Sequence, residues 1–444
     1  MSSNNAASSI KLIMHKTISY LKNRYIFKGS FATNVLTLMT GVVIAQLIPI
    51  VILPVLTRIY TPRDFGIFTL YMSIFSIIAI FSTGQYELAI MLPEKEEDAV
   101  YIIILAVIIC FFVSAITLLI FFFLNSLITR IIGNSNISLW LYFVPLTVFL
   151  SGTYQIFYYW LNRKKRYKRL AVNRVLQAIL MVSVNLIMGL AGFGASGLIV
   201  GNICGFFFAS ASLGWETYRE IRKEISLIGY SKLRKLLLRF RKFPFYSLPA
   251  DFLNVISNQA PAVFLSSFFG VNVVGFFGLT QRVLGVPVTL ISTSLYDVFK
   301  ERASSDYRRI GNCKEIYLKT LKSLFVLSIV PFLLFFFSAP WLFTLIFGPS
   351  WRTAGVYAQI LSVMLFLRLI VRPLGYMFII AEKQKESFFL HIYMVISTIV
   401  CLFAGYYIFK KAEYALFLFS INYAFIYTIY LLLSYSFSKG SKNK

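Results

Sequence analysis

The sequence predicts an all-α polytopic membrane protein: twelve transmembrane helices in two six-helix lobes related by a parallel repeat. Three observations lead there. Of the 444 residues, 58% are hydrophobic and only 14% charged, more apolar surface than a soluble domain could hide behind a polar exterior. Apolar runs of about 20 residues, the length that spans a bilayer's hydrocarbon core, recur from end to end. The basic residues fall in short clusters between those runs, dense on one side and sparse on the other. Strand-period alternation is absent, which excludes an outer-membrane barrel.

In chain order, residues 1–30 form a basic segment without a signal peptide, and IKLIMHKTISYLKNRYIF (10–27) reads as an amphipathic helix lying on the membrane. Six spans follow at 31–56, 65–90, 99–124, 139–161, 170–191 and 193–213, making an N-lobe of 31–213. A basic link, 214–244, separates them from spans at 245–269, 273–298, 317–338, 354–380, 386–409 and 412–434, a C-lobe of 245–434, with a basic tail at 435–444. With the N-terminus inside, 31 of the 43 Lys and Arg lie in cytoplasmic segments and 6 in outer ones. That bias supports twelve spans and two cytoplasmic termini.

The net charge of +26 therefore implies an anionic phospholipid surface as neighbour, and no nucleic acid. Cys110, Cys204, Cys313 and Cys401 have no metal-like spacing and read as structural thiols; His15 and His391 add no motif. No metal and no cofactor is expected.

The halves carry a weak internal repeat. LTRIYTPRDFGIFTL (56–70) aligns without gaps on LSSFFGVNVVGFFGL (265–279), matching Leu56, Gly66, Phe68 and Leu70 to Leu265, Gly275, Phe277 and Leu279. Spans 1 and 7 share a polar stripe: Ser30, Asn34, Thr37 and Gly41 against Ser247, Asp251, Asn254 and Asn258, each set along one helical face. Both halves begin inside, so the repeat is parallel.

The segment PVLTRIYTPRDFGIFTLYMSIFSIIAIFSTGQYELAIMLPEKEEDA (54–99) resembles the start of the Wzx-type polysaccharide flippases, the PST branch of the multidrug/oligosaccharidyl-lipid/polysaccharide exporter superfamily. Tyr60, Pro62, Asp64, Phe65 and Gly66 fit its "Y-x-P-x-D/E-F/Y-G" turn; Ala89, Ile90, Leu92, Pro93, Glu96 and Ala99 fit its "A-I…LP…E-x-x-A". RVLGVPVTLISTSLYDVFKERAS (282–304) is similar to its eighth span, with Lys300 where the family usually has proline. The resemblance implies a two-lobed carrier with a central cavity open to one side at a time. Its implied cargo is an undecaprenyl-pyrophosphate-linked oligosaccharide unit of O-antigen, capsule or a related glycan. Its implied setting is the bacterial inner membrane, with polysaccharide polymerase and chain-length machinery as partners.

Within the spans, Arg282, Arg368 and Arg372 are the residues to explain, since an arginine at mid-membrane costs about 2.5–3.5 kcal/mol on insertion scales. Arg368 and Arg372 share a face roughly 21–27 Å below the outer end of span 10, and the following Pro373 permits a kink. The repeat sets Val148 and Gly152 opposite them, so the charge belongs to one half only. Two readings remain open. The arginines tie to Asp251, Glu87 or helix-end carbonyls, or they hold an anionic head group, for which guanidinium is apt. Asp251 reads as a coupling site or, better, as the anchor of Arg282 or Arg368. Asn34, Asn254 and Asn258 are polar cavity candidates with it, and Glu87 is a weaker one. Arg174 and Asp297 read as interfacial, Lys319 and Lys322 as snorkelling.

Two rival functions stand beside flipping. A multidrug or cation antiporter of the same superfamily would want acidic residues in the cavity, and span 1 has none. A membrane glycan polymerase or ligase would want a sizeable outer loop, and the longest expected one, 339–353, is short. No nucleophile–base pair is visible, so the chain reads as no enzyme.

Overall fold

The structure, a computed structural model, describes residues 30–225 and 229–440, without the side chains of 30–37, 223–225, 250, 294 and 297. The surface helix expected at 10–27 and the side chains of Asn34 and Asp297 lie outside those described residues. Twelve helices of 18 residues or more follow one another: α1 Ser30–Ile59, α2 Pro62–Ala79, α3 Glu96–Ile132, α4 Val144–Arg163, α5 Tyr167–Leu190, α6 Ala195–Ile225, α7 Leu248–Phe269, α8 Val271–Ile310, α9 Lys314–Phe347, α10 Arg352–Leu374, α11 Gln384–Ala404 and α12 Ala412–Ser438. No strand occurs among the described residues. Among them nine helices are long and apolar enough to cross a membrane, or ten when the segment bent by 48° before α4 is counted as one span. The expected count of twelve is not reached on that measure. α2 and α7 fall outside the set because a short length and a polar face, respectively, dilute their hydropathy.

Several expected loops are helix. α8 runs unbroken past the expected end of span 8 to Ile310, where Gly311 stops it in a left-handed conformation (φ 72°). α9 continues to Phe347, so the expected outer loop 339–353 shrinks to a single turn at Pro349–Trp351. Hydropathy marks where a helix leaves the lipid, not where it ends. The link 214–244 is largely helical as well, through the end of α6 and a separate helix, Tyr230–Arg239. Lys232 of that helix meets Glu97 (2.7 Å) and Asp98 (2.9 Å) at the start of α3. The opposite departure is in span 2, which breaks after Ala79. Gly84 and Gln85, both left-handed (φ 59° and 62°), interrupt it before a short helix at Tyr86–Ala89.

The quoted motifs have structural reasons. Thr61 and Asp64 form a reciprocal capping box with Pro62 in the first turn of α2, satisfying backbone donors that would otherwise face no partner. The second Asp64 oxygen accepts from Ala195 N (2.9 Å), and Tyr60 Oη donates to Asn185 O (2.6 Å), fastening the turn to α6 and α5. Downstream, Arg163 donates to the carbonyls of Ile90 (3.1 Å) and Pro93 (2.6 Å), which holds the "LP" turn.

Packing follows the repeat. α1 lies on α5, α5 on α6, α4 on α6 and α3 on α4; likewise α7 lies on α11, α11 on α12, α10 on α12 and α9 on α10. Between the two sets, α2 crosses α8, flanked by exchanged contacts: α2 with α7 and α8 with α1, α1 with α9 and α7 with α3. The matched glycines sit at the crossing. A Cβ on Gly66 would overlap the carbonyl oxygen of Val271, and one on Gly275 that of Pro62, each one turn before the other glycine. Only glycine allows two backbones this close. Near the same end, Trp351 Nε1 donates to Thr57 O (3.0 Å), Arg58 Nη1 to Ile346 O (3.2 Å) and Ser267 Oγ to Ile131 O (2.9 Å).

Candidate functional site

Between α2, α7, α8 and α10, with Gln46 of α1 on its wall, lies a cavity of about 700 Å³. Its polar lining follows from the sequence pattern: the α7 stripe turns Asn254 and Asn258 inward, α8 supplies Arg282, and α10 supplies Arg368. Arg368 Nη2 donates to Asn258 Oδ1 (3.1 Å), while the Asn258 amide nitrogen donates back along α7 to Asn254 O (2.7 Å). The Arg282 guanidinium lies over the Phe68 ring at 4.4 Å from its centroid, with Phe65 at 5.9 Å, a cation–π arrangement that offsets part of its desolvation. Among the described residues Arg282 makes no ion pair and no hydrogen bond, so its N–H donors are uncommitted. No carboxylate lines the cavity among the described residues. Gln46 Oε1 and Thr69 Oγ1 on its wall are buried without a hydrogen-bond partner.

Arg372 stands one turn further on, exposed, donating to Thr289 Oγ1 (3.3 Å), which itself lines the cavity. The break expected near Pro373 falls after it: α10 continues to Leu374 and yields at Gly375 and Tyr376 before Met377–Ile380. Proline cannot donate to the carbonyl four residues back, that of Leu369. The buried Ser292 hydroxyl of α8 reaches that carbonyl instead (3.4 Å).

Asp251 does not anchor an arginine, contrary to expectation. It is exposed and accepts from Gln85 Nε2 (2.6 Å), across from the second set of helices to the first. Two turns of α7, about 10 Å of rise, separate it from Asn258, which takes Arg368 in its place. Glu87 also lacks an arginine partner; it is buried and accepts from the Thr83 hydroxyl. The side chain of Asn34 is not among those described. Gly41, on the same expected stripe, packs against Ala171 of α5 and away from this cavity.

Glu87 belongs to a second cavity, about 460 Å³, within the first six helices. The same cavity is lined by Arg174, expected from the sequence near a membrane interface. Arg174 Nε donates to Tyr154 Oη (3.2 Å), and its guanidinium stacks on Tyr158 at 4.7 Å. Ser76 lines both cavities, so they adjoin. The readable signal was the tyrosine spacing 154, 158 and 159, which turns rings to one face of α4.

A family described as polysaccharide biosynthesis protein matches residues 55–356, more than half of the chain. The chain belongs to that family. No curated protein matches it in sequence. Solved structures share the fold of this polysaccharide biosynthesis family member at low identity. An inward-facing multidrug resistance MATE family transporter of the MOP superfamily superposes with a TM-score of 0.61 at 14% identity, over 89% of this chain and 92% of the other. The lipid II flippase MurJ, inward closed, gives 0.60 at 15% over 91% and 86%. A MOP superfamily transporter from Pyrococcus furiosus, whose binding pocket is described as of reverse polarity, gives 0.59 at 13% over 90% and 94%. These neighbours are described as transporters and a flippase, and what they share with this multi-pass membrane protein is the fold.

Proposed function

We propose that this chain is a Wzx-type flippase. It carries undecaprenyl-pyrophosphate-linked oligosaccharide units of a surface polysaccharide such as O-antigen or capsule across the bacterial inner membrane, with both termini cytoplasmic. The observation that carries the reading is the cavity holding Arg282 and Arg368 with no carboxylate on its wall among the described residues. A cation carrier needs negative charge there; a pyrophosphate needs what Arg282 offers, a guanidinium with its donors free. At an effective dielectric of 20, each charge pair at 4 Å is worth about 4 kcal/mol, which helps repay burying the arginine. The lobes 31–213 and 245–434 then rock about the α2–α8 crossing, with 214–244 as the hinge. A negative cell interior favours outward movement of each negative charge by about 2.3 kcal/mol per 100 mV.

Deletion of the gene, followed by sizing of surface polysaccharide and of lipid-linked intermediates, tests this. Intermediates trapped on the cytoplasmic side are expected. Normal polysaccharide in a cell without a redundant carrier refutes the proposal, as does efflux of cationic dyes by the purified chain.

A further inference from the structure

The second cavity is chemically unlike the first. Its walls combine the rings of Tyr154, Tyr158 and Tyr159 with one acid, Glu87, one base, Arg174, and the amide of Gln155. An ionised carboxylate and guanidinium on one low-dielectric wall attract strongly and would close into an ion pair if free to do so. They make none here. Thr83 holds Glu87, while Tyr154 and Tyr158 hold Arg174. The site therefore keeps an acceptor and a donor apart, each with unused hydrogen-bonding capacity, beside aromatic faces. Gln155 makes no hydrogen bond among the described residues, and Gln85 Oε1, on the same wall, is buried without a partner.

An acyl chain would leave the unused hydrogen-bonding capacity of these polar groups unmet. An organic cation would be repelled by Arg174, and an inorganic anion by Glu87. A neutral polyhydroxyl compound fits: its hydroxyls both donate and accept, and its ring C–H faces lie on aromatic rings. The volume, about 460 Å³, sits within the roughly 300–1,000 Å³ of small-molecule sites and suits a short saccharide. Its junction with the arginine cavity at Ser76 orients the two. We propose that the Glu87–Arg174 cavity is a saccharide subsite that receives the sugars nearest to a pyrophosphate held at Arg282 and Arg368. This inference rests on the flippase reading and adds to it where the cargo's sugars are read.

The test uses the full-length chain in lipid nanodiscs and two probes. One is undecaprenyl pyrophosphate; the other is the pool of undecaprenyl-pyrophosphate-linked saccharides extracted from cells deleted for this gene. The saccharide-bearing lipid is expected to bind about tenfold more tightly. Gln155→Ala and Tyr159→Leu should each bring that ratio toward unity while leaving affinity for the bare lipid unchanged, which also shows that the variants are folded. Arg282→Ala should weaken both probes together. A ratio of one in the wild type, or a ratio indifferent to both variants, overturns the saccharide subsite and leaves the flippase reading standing. Failure of the saccharide-bearing lipid to bind the wild type at all overturns the flippase reading itself.

Discussion

Gly66→Ala acts on the α2–α8 crossing, where the two sets of helices touch backbone to backbone. The added Cβ would overlap Val271 O and lie 2.8 Å from Val271 Cγ2 and 2.9 Å from Val271 C. An ordinary C···O contact is about 3.3–3.6 Å, so α2 and α8 must part by roughly 1 Å or more. Overpacking of this kind costs about 1–3 kcal/mol, toward the top of that range here because the obstacle is main chain. The gain in helix propensity from Gly to Ala, about 1 kcal/mol, is the same with the crossing open or closed and cancels between them. The steric penalty, about 3 kcal/mol, falls only on states in which the crossing is closed. It shifts the balance toward states with the crossing open by on the order of a hundredfold. Met72→Cys, on the cavity wall, reports this in a background with Cys110, Cys204, Cys313 and Cys401 replaced, through its labelling by an impermeant maleimide added outside. Faster labelling is expected for Gly66→Ala and for Gly275→Ala. The double variant should add little, because one separation relieves both clashes. Gly285→Ala is the control, since a Cβ there meets nothing within 4 Å. Labelling of Gly66→Ala no faster than that control would refute the reasoning.

Three further predictions use other contacts. Arg372→Ala should impair export at normal protein level and Arg372→Lys should partly restore it, measured as surface polysaccharide against membrane protein; equal loss of folded protein in both would make the residue a structural tie. Ser292→Ala leaves the Leu369 carbonyl unpaired and should cost about 1 kcal/mol in thermal unfolding. In a Pro373→Ala background, where residue 373 regains its N–H, the same change should be silent. The hydrogen bond to Glu97 raises the Lys232 pKa above 10.5 against an opposing desolvation, and Asp98 adds to the rise. The contribution of Lys232 to docking the link helix should therefore be intact from neutral pH up to 10.5 and fade as pH climbs through the raised value. Salt should weaken it at any pH, because the pair is largely exposed. Trypsin cleavage within 230–242 reads both effects.

What the sequence made legible was whatever hydropathy and short motifs encode. The order of helices, the turn at Tyr60–Gly66 and the match of Gly66 to Gly275 are examples, because each depends on residues adjacent along one chain. Arg282 and Arg368 could be placed near one depth from helix rise alone. Their partners could not, since the choice of Asn258 over Asp251 depends on how α7 is set against α10, and no local signal carries that. The helical continuation of α8 to Ile310 was hidden because a helix in water and a loop in water look alike in hydropathy. The surroundings of Arg174 were hidden for a related reason: counting residues from a helix end gives depth but not direction, and its direction is into a cavity.

The 40 residues of α8 give a rod about 60 Å long, roughly twice the thickness of the hydrocarbon core. It is pinned at Gly275, close to one tip. A rod so mounted is a lever with nearly all its length on one side of the fulcrum, and Pro287, inside it, is where it bends most readily. A tilt of about 10° at the crossing would sweep the far tip, beside Gly311, through about 9 Å. A very small yielding of two glycines is thereby geared into a displacement as wide as a helix. The gearing lies in the length of α8 and is limited at Pro287, so Pro287→Ala should stiffen the lever, and a second proline between 299 and 309 should loosen its tip without touching either cavity.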